Sequence, residues 1–347
     1  MQFAHDFQTI LGRNLVGELR NFVHRPFLVV TMEDMWSQFE PLLEGADYHP
    51  FFVHSVDEVD LLDALERLPP VEAIVGIGGG MAVDTAKFLS WKRRLPLFQI
   101  QTALSMNASW GQRAAIRIDG AVRYIGWAVP EAVYIDYDII RAAPVQLNYS
   151  GIGDILCFHT GVLDWKYATT IGKCEAKWPY DEDVAQLSLS KVENVLLHAD
   201  EIHRQTEKGI EVLIDGLRHG TSFHGNGWNP RHIEGIDHFF FYSLEHETGK
   251  KFLHGPPVCL GVYIGSLLHE CRAEEMLRTM YRVGLDIRPE AMGVTWTDVA
   301  RALFNLRSFV HRKGLWHSIA HDVDIGQEFV DRVCEGVESM YGAWTRT

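Results

Sequence analysis

The sequence predicts an amino-terminal α/β domain with a parallel sheet, followed by an all-α domain. Residues 27 to 145 alternate short apolar runs with longer amphipathic stretches, which favours parallel strands covered by helices. Beyond Pro144 the apolar residues recur with the period of a helix. The 347 residues are about twice the roughly 150 that one domain usually holds. Because Pro144, Gly151 and Gly153 interrupt regular structure, we predict domains at residues 1–148 and 149–347.

Each element has its own signal in the chain. Apolar and β-branched runs predict strands at residues 26–32 (PFLVVTM), 71–76 (VEAIVG), 96–102 (PLFQIQT) and 132–140 (AVYIDYDII). Residues 55–68 have the pattern of an amphipathic helix, with Ser55 as its amino-terminal cap. Another helix is predicted over residues 81–92. In the all-α domain, helical periodicity extends over residues 183–199, 257–283, 296–312 and 326–345.

Composition and charge exclude several classes of protein. With 47% hydrophobic and 22% charged residues, the chain is typical of globular proteins rather than disordered or fibrous ones. A net charge of −14 opposes binding to nucleic acid and to anionic membranes. No apolar run is long enough to span a membrane, and Asp6 interrupts the place where a secretory peptide needs an apolar core. We therefore expect a cytoplasmic protein with a small-molecule substrate.

A glycine loop is the sharpest local signal. Residues 76–87 read GIGGGMAVDTAK, a predicted strand that enters a glycine turn and then opens a helix. Without side chains, the backbone N–H groups of Gly78, Gly79 and Gly80 can approach an anion, and the helix N-terminus adds partial positive charge. The segment departs from GxGxxG because its sixth position is Met81, and no Walker lysine follows. From these residues alone, a structural turn and a pyrophosphate site both stay open.

The loop and further motifs resemble a known superfamily. GGG-x-x-x-D-x-A-K is similar to the signature of iron-containing alcohol dehydrogenases, glycerol dehydrogenases and dehydroquinate synthases, with the greatest likeness to sn-glycerol-1-phosphate dehydrogenases. The likeness covers residues 70–265. Its other motifs follow in the same order: Thr102-Ala-Leu-Ser105, Tyr134-Ile-Asp-Tyr-Asp138, Gly151-Ile-Gly-Asp154, Arg231-x-x-x-Gly235-x-Asp-His238 and His254-Gly255.

The resemblance implies a fold and a cofactor. It implies the dehydroquinate synthase-like fold, in which a Rossmann-like α/β domain and a helical domain enclose the active site between them. It implies NAD or NADP as cofactor. Residues at the matching positions are expected to bind it: Gly78, Gly79, Gly80, Asp84, Lys87, Thr102 and Ser105. Glu33 or Asp34, after the first predicted strand, could hydrogen-bond the adenosine ribose and favour NAD.

The resemblance also selects a metal site from the 17 histidines. In the family, an aspartate and two histidines at the positions of Asp154, His238 and His254 hold one divalent ion, for which we expect zinc first and iron second. The residues alone leave alternatives open. Asp154 could be a helix cap, His246 could replace His238 two turns along one helix face, and His159 could line the cavity or simply pack.

The expected catalytic residues are the same Asp154, His238 and His254, since the ion would act as a Lewis acid on an alcohol or carbonyl oxygen. Two departures from the family concern the substrate. Asn107 stands where relatives commonly carry aspartate, and Pro256 where they carry glutamate. We expect Asn107, Arg231 and His246 to contact the substrate, with Arg113 as a further cation for an anionic one. His311, His317 and His321 are expected on a solvated surface.

The predicted function is therefore a metal-dependent, NAD(P)-linked oxidoreductase acting on a small alcohol, polyol or polyol phosphate. A non-redox, dehydroquinate synthase-like enzyme and a non-catalytic homologue are the alternatives. We also expect a homo-oligomer.

Overall fold

The protein is described by a computed structural model over residues 8–23, 26–119, 121–221 and 229–342. These residues form two compact units, an α/β unit that ends at Val145 and a helical unit that begins at Gln146. The predicted fold class is confirmed, because the first unit contains a parallel sheet with helices and the described part of the second contains helices without strands.

The α/β unit is built on a parallel sheet of six strands. In spatial order the sheet runs β1-β8-β5-β4-β2-β3. Its strands are β1 (Thr9–Gly12), β2 (Phe27–Thr31), β3 (Tyr48–Phe52), β4 (Ala73–Gly78), β5 (Leu97–Gln101) and β8 (Ala132–Asp136). An antiparallel hairpin adds β6 (Ala114–Ile118) and β7 (Ala121–Ile125). Strands β1 and β3 and the hairpin were not predicted from the sequence.

Both faces of the sheet are covered, which explains its continuous apolar strands. Alternate residues of β2 enter different hydrophobic clusters: Phe27 and Val29 belong to one, and Leu28 and Val30 to the other. The helices of this unit are α1 (Leu19–Phe22), α2 (Trp36–Phe39), α3 (Glu58–Glu66), α4 (Gly80–Arg93) and α5 (Tyr137–Ala142).

Two predicted elements of this unit are corrected. The strand predicted over 132–140 ends at Asp136, because the Asp136 carboxylate accepts hydrogen bonds from the backbone N–H groups of Asp138 and Ile139 and starts α5. Ser55 does not cap α3. Its Oγ accepts from the Asp57 N–H, and the helix begins only at Glu58.

The helical unit packs α7, α11 and α12 at its centre. Its helices are α6 (Val145–Ser150), α7 (Gly153–Thr170), α8 (Glu182–Leu197), α9 (Ala199–His203), α10 (Glu207–His219), α11 (Ile236–Thr248), α12 (Gly255–Leu268), α13 (Ala273–Val283), α14 (Trp296–Phe304), α15 (Leu306–Lys313) and α16 (Gln327–Tyr341). Two long helices predicted from periodicity are broken, one before α13, where Arg272 is left-handed, and one at Asn305. Residues 343–345 of the last predicted helix lie outside the described residues.

Across the described ranges, no helix combines the length and the apolar character that crossing a membrane requires.

Candidate active site

Asp154 and His254 meet where two helices of the helical unit begin. Asp154 is the second residue of α7, and His254 immediately precedes α12. Glycines let these helix starts touch: a Cβ atom on Gly153 would lie 2.8 Å from the Gly255 Cα, closer than real Cβ contacts allow. At the same place the Gly255 N–H donates a 2.9 Å hydrogen bond to the Ser150 Oγ. His254 Nε2 thereby lies 2.8 Å from Asp154 Oδ1.

His238 reaches the same point from a third helix. It is the third residue of α11, which packs against α12 at Gly261, where a Cβ would lie 2.8 Å from the Asp237 Cα. Because that position carries no side chain, the two helices approach closely. His238 Nε2 comes within 3.3 Å of His254 Nε2 and 3.9 Å of Asp154 Oδ1.

The spacing of these three atoms suits a single metal ion. Their separations are 2.8, 3.3 and 3.9 Å. A tetrahedral zinc ion with bonds of about 2.1 Å separates its ligands by about 3.4 Å. Two imidazole nitrogens and a carboxylate oxygen are donors that zinc and iron both accept. The residues present therefore fit a divalent ion.

Asp237 holds the His238 ring in position. The ring Nδ1–H donates a 2.5 Å hydrogen bond to Asp237 Oδ1, and Thr160 Oγ1 donates one of 2.7 Å to Oδ2. With its proton on Nδ1, the ring keeps the lone pair of Nε2 for the cluster, as in the carboxylate–histidine pairs that support metal ligands. Asp237 was not predicted as a site residue, although its position next to His238 was an available signal.

The electrostatic field of this cluster favours a cation. Burial opposes charge on His238, but the hydrogen bond to Asp237 and the carboxylates of Asp237, Glu234 and Asp154 outweigh it and raise the His238 pKa to about 9. Such a raised pKa shows that the nearby carboxylates create a negative electrostatic potential at the ring, and the same potential favours a bound cation.

A second group of possible ligands shares His238. Cys157, Asp237 and His238 also bring their ligand atoms together. Here, however, the His238 Nδ1 and the Asp237 carboxylate form a hydrogen bond with each other, so neither is free to bind a metal ion. Burial, together with nearby carboxylates, raises the Cys157 pKa well above its ordinary value, so the thiol keeps its proton. This group is a poor metal site.

The glycine loop of the α/β unit has the shape of an anion cradle. Gly78 ends β4 with φ of +158° and Gly79 caps α4 without a side-chain hydrogen bond to its first turn. A Cβ on Gly79 would meet no atom within 4 Å, whereas one on Gly78 would lie 2.7 Å from the Ala82 Cβ. The helix N-terminus is therefore open to an anion over Gly79.

Lys87 and Asp84 lie beneath this loop as a buried ion pair. Their side chains approach to 2.7 Å, and Lys87 is only 2% exposed. Lys87 Nζ also donates to the carbonyl oxygens of Ala108 at 2.9 Å and Arg113 at 2.8 Å. Lys87 thereby holds the segment that follows β5. Contact of Asp84 and Lys87 with the cofactor stays a prediction.

The segment after β5 carries Thr102, Ser105 and Asn107. Thr102 is buried and its N–H donates to the Gly78 carbonyl, while Ser105 and Asn107 are partly exposed. Gln101, which the sequence analysis missed, shapes this turn: its Nε2 donates to the carbonyl oxygens of Ala103 at 2.9 Å and Met106 at 3.0 Å. A glutamine at the end of an apolar strand was the available signal.

Glu33 and Asp34 follow β2 and are exposed. Because β2 and β4 are neighbours and parallel, this acidic turn and the glycine loop lie at the same edge of the sheet. The chain leaves β2 toward β3 and leaves β4 toward β5, in opposite directions. Parallel sheets bind nucleotides at such a switch point.

Comparisons with known proteins show the family of this chain. The sequence profile described as "Iron-containing alcohol dehydrogenase" matches residues 30–144. A glycerol-1-phosphate dehydrogenase [NAD(P)+] of Thermofilum pendens is 31% identical over 298 residues, which cover 82% of this chain and 83% of that one. The chain belongs to the iron-containing alcohol dehydrogenase family. It is an NAD(P)-linked oxidoreductase that acts on alcohol groups.

Other members of the iron-containing alcohol dehydrogenase family match over similar lengths. The glycerol-1-phosphate dehydrogenase of Pyrococcus furiosus is 27% identical over 87% of this chain and 89% of its own. Glycerol dehydrogenase from Schizosaccharomyces pombe, a solved structure, superposes with a TM-score of 0.71 at 18% identity and covers 97% of this chain and 92% of its own. That likeness shows the fold.

Two predicted substrate residues do not reach the cluster. Arg231 is 1% exposed, and its guanidinium donates to the carbonyl oxygens of His317 and Asp164 inside the helical unit. Burial lowers its pKa, which nearby carboxylates oppose. His246 lies eight residues after His238 on α11, about 12 Å along the axis. It is exposed and packs against the Phe309 ring. The structure therefore does not bring Arg231 and His246 together with the three clustered side chains, and their contact with substrate stays a prediction.

The other histidines considered in the sequence have structural partners. His159 is buried and its Nε2 lies 3.1 Å from the Cys271 carbonyl oxygen, which supports its packing role. The solvated surface expected for His311, His317 and His321 is wrong for His321, which is buried between the other two rings.

Proposed function

We propose that Asp154, His238 and His254 hold one divalent metal ion and that this site oxidises a small alcohol, polyol or polyol phosphate. The observation that carries the proposal is the convergence of their three ligand atoms within 3.9 Å. When bound, the ion supplies Lewis acidity toward an alcohol or carbonyl oxygen, and the nicotinamide cofactor takes or gives the hydride. Asp237 keeps the Nδ1 proton of His238 in place during the reaction.

Zinc is the proposed ion, with iron as the second choice. The near-tetrahedral spacing of the ligand atoms and the mixed nitrogen and oxygen donors support zinc. Elemental analysis of the purified protein tests this assignment. Asp154→Ala and His254→Ala are expected to lose the bound metal together with activity. His246→Ala is the matched control, since it removes a histidine of the same unit that the cluster does not use. Retained metal in both cluster variants would refute the ligand assignment.

The cofactor is proposed to bind the α/β unit with its pyrophosphate on Gly78, Gly79 and Gly80. The open helix start over Gly79 supports this, and Thr102 and Ser105 border the same loop. The exposed Glu33 and Asp34 would repel a 2′-phosphate, so NAD is preferred over NADP. Turnover with each cofactor measures the preference, and equal or faster turnover with NADP would sink it.

Glycerol 1-phosphate is the first substrate to test, because the relatives named above are glycerol-1-phosphate dehydrogenases. Arg231 is buried, whereas Arg113 is exposed at the start of the hairpin. We propose Arg113 as the phosphate contact and Asn107 as a hydroxyl contact. Arg113→Ala is expected to raise KM for glycerol 1-phosphate and leave KM for glycerol unchanged. An equal effect on both substrates would contradict the assignment.

One screen decides the function as a whole. NAD(P)H formation is followed with small alcohols, polyols and their phosphates, using protein loaded with zinc or iron. Metal-dependent NAD(P)H formation is expected, and its absence with every alcohol would leave the non-redox alternative. The cytoplasmic location and the homo-oligomer stay predictions.

A further inference from the structure

A carboxylate that the proposed reaction does not use lies beside the metal cluster. Glu234 precedes α11, and the Trp316 Nε1–H fixes its backbone by donating a 2.9 Å hydrogen bond to its carbonyl oxygen. The Tyr242 hydroxyl donates to Glu234 Oε1. Because Tyr242 lies four residues after His238 on one helix face, this hydrogen bond passes beside His238, and the two rings lie 6.1 Å apart.

The other oxygen of this carboxylate is not used by the protein. Within the described ranges, Glu234 Oε2 accepts no hydrogen bond, and it is not among the fully enclosed polar atoms. Protein atoms surround the carboxylate densely, yet the residue keeps part of its surface exposed. Burial raises the Glu234 pKa, against the opposing effects of His238 and Tyr242. A carboxylate oxygen in such surroundings is stabilised by a hydrogen-bond donor.

Geometry places this carboxylate close to the proposed active site, because the Tyr242 hydroxyl that holds Glu234 Oε1 belongs to a ring 6.1 Å from the His238 ring. After burial, the groups that act on Glu234 are His238, Tyr242, Asp237 and His254. A phosphate at that point would be repelled by the carboxylate, whereas a hydroxyl group would be attracted.

We propose that Glu234 Oε2 accepts a hydrogen bond from a second hydroxyl group of the substrate, so that the site selects polyols over simple alcohols. The inference rests on the proposed function. Tyr242 holds the carboxylate in position by engaging its other oxygen. Sites that hydrogen-bond a substrate hydroxyl discriminate strongly against the analogue that lacks it, since the buried acceptor is then left without a partner.

Propane-1,2-diol and propan-2-ol are the test substrates, because they share the reacting secondary alcohol and differ in one hydroxyl. The ratio of their kcat/KM values is measured with zinc-loaded protein. Glu234→Gln keeps an acceptor for Tyr242 but removes the charge, and it is expected to lower the ratio about ten- to a hundredfold through the diol alone. Tyr242→Phe is expected to lower it by a smaller factor.

Glu247→Gln is the matched control. It makes the same change on α11 about 13 Å beyond His238, where Glu247 pairs with Arg301 at 3.3 Å. Its ratio is expected to equal that of the parent protein, and zinc content should be the same in all variants.

Glycerol binding to the zinc-loaded protein, measured by calorimetry, decides the inference independently of turnover. Glu234→Gln is expected to weaken glycerol binding about tenfold or more. If the parent protein transfers no hydride, the proposed function fails, and the calorimetric comparison still tests Glu234. An unchanged affinity for glycerol in folded, zinc-loaded Glu234→Gln would overturn the inference.

Discussion

The hydrogen bond from His238 to Asp237 makes a quantitative prediction about metal affinity. Burial alone would lower the His238 pKa, yet Asp237 and the other carboxylates raise it to about 9. Relative to an ordinary value of about 6.5, that is a preference of about 3 kcal/mol for positive charge on the ring. Asp237 contributes both its charge and the 2.5 Å hydrogen bond. Asp237→Asn should therefore weaken zinc binding ten- to a hundredfold, or about 1.4 to 2.7 kcal/mol.

The assay is chelator competition with the metal-free protein at fixed pH. Thr160→Val, which removes the 2.7 Å hydrogen bond to the other Asp237 oxygen, should weaken binding by a few-fold only. Asp322→Asn is the control, because Asp322 pairs with His317 at 2.7 Å and that pair does not belong to the cluster. If Asp237→Asn binds zinc as tightly as Asp322→Asn does, the reasoning is refuted.

Further predictions concern stability. Lys87→Met leaves the Asp84 carboxylate buried without its partner and should lower the free energy of unfolding, measured in urea, by about 3 to 5 kcal/mol. Adding Asp84→Asn should restore part of the lost stability. No recovery in the double variant would contradict the ion-pair role. Gly255→Ala places a methyl group against Ser150, so it should lower the free energy of unfolding by about 3 kcal/mol and weaken zinc binding. Gly326→Ala is the control, because its methyl group would enter open space, and it should leave both the stability and the zinc affinity unchanged. Burial and the charges of nearby histidines lower the His321 pKa to about 4. The unfolded state then binds an extra proton below about pH 6.5, so stability should fall by about 2 kcal/mol between pH 7 and pH 5; His321→Asn should flatten that fall, and an unchanged pH profile would contradict it.

The sequence predicted the interior of the sheet better than its ends. The strand at 26–32 was predictable because β2 is buried on both faces, so nearly all its side chains are apolar. The strand at 132–140 was predicted too long, since the apolar run continues past Asp136 and only the capping bonds of its carboxylate turn the chain into α5. Likewise, helical periodicity runs through Arg272, and two left-handed residues, Glu270 and Arg272, break the helix there.

Some residues of the candidate site were also predicted, and others were not. Asp154, His238 and His254 came from a family resemblance, because separations of 84 and 16 residues carry no geometry of their own. The contact of Gly153 with Gly255 joins Asp154 to His254, and the close approach of Gly261 to Asp237 brings in His238; both depend on tertiary packing. Arg231 was predicted to contact the substrate because the sequence does not show that its guanidinium donates to the His317 carbonyl oxygen, 86 residues away. Asp237 acts through the His238 ring, and Gln101 acts through the backbone of Ala103 and Met106. A search for catalytic residue types overlooks such supporting residues.

The hydrogen bonds that hold residues 103 to 113 have a consequence for which substitutions this segment can accept. Within this segment, Gln101 and Lys87 donate to four carbonyl oxygens, those of Ala103, Met106, Ala108 and Arg113. Every amino acid offers that oxygen, so these four hydrogen bonds persist whichever side chains stand at the accepting positions. A change of side chain at those positions therefore leaves the contacts that fix the backbone path in place.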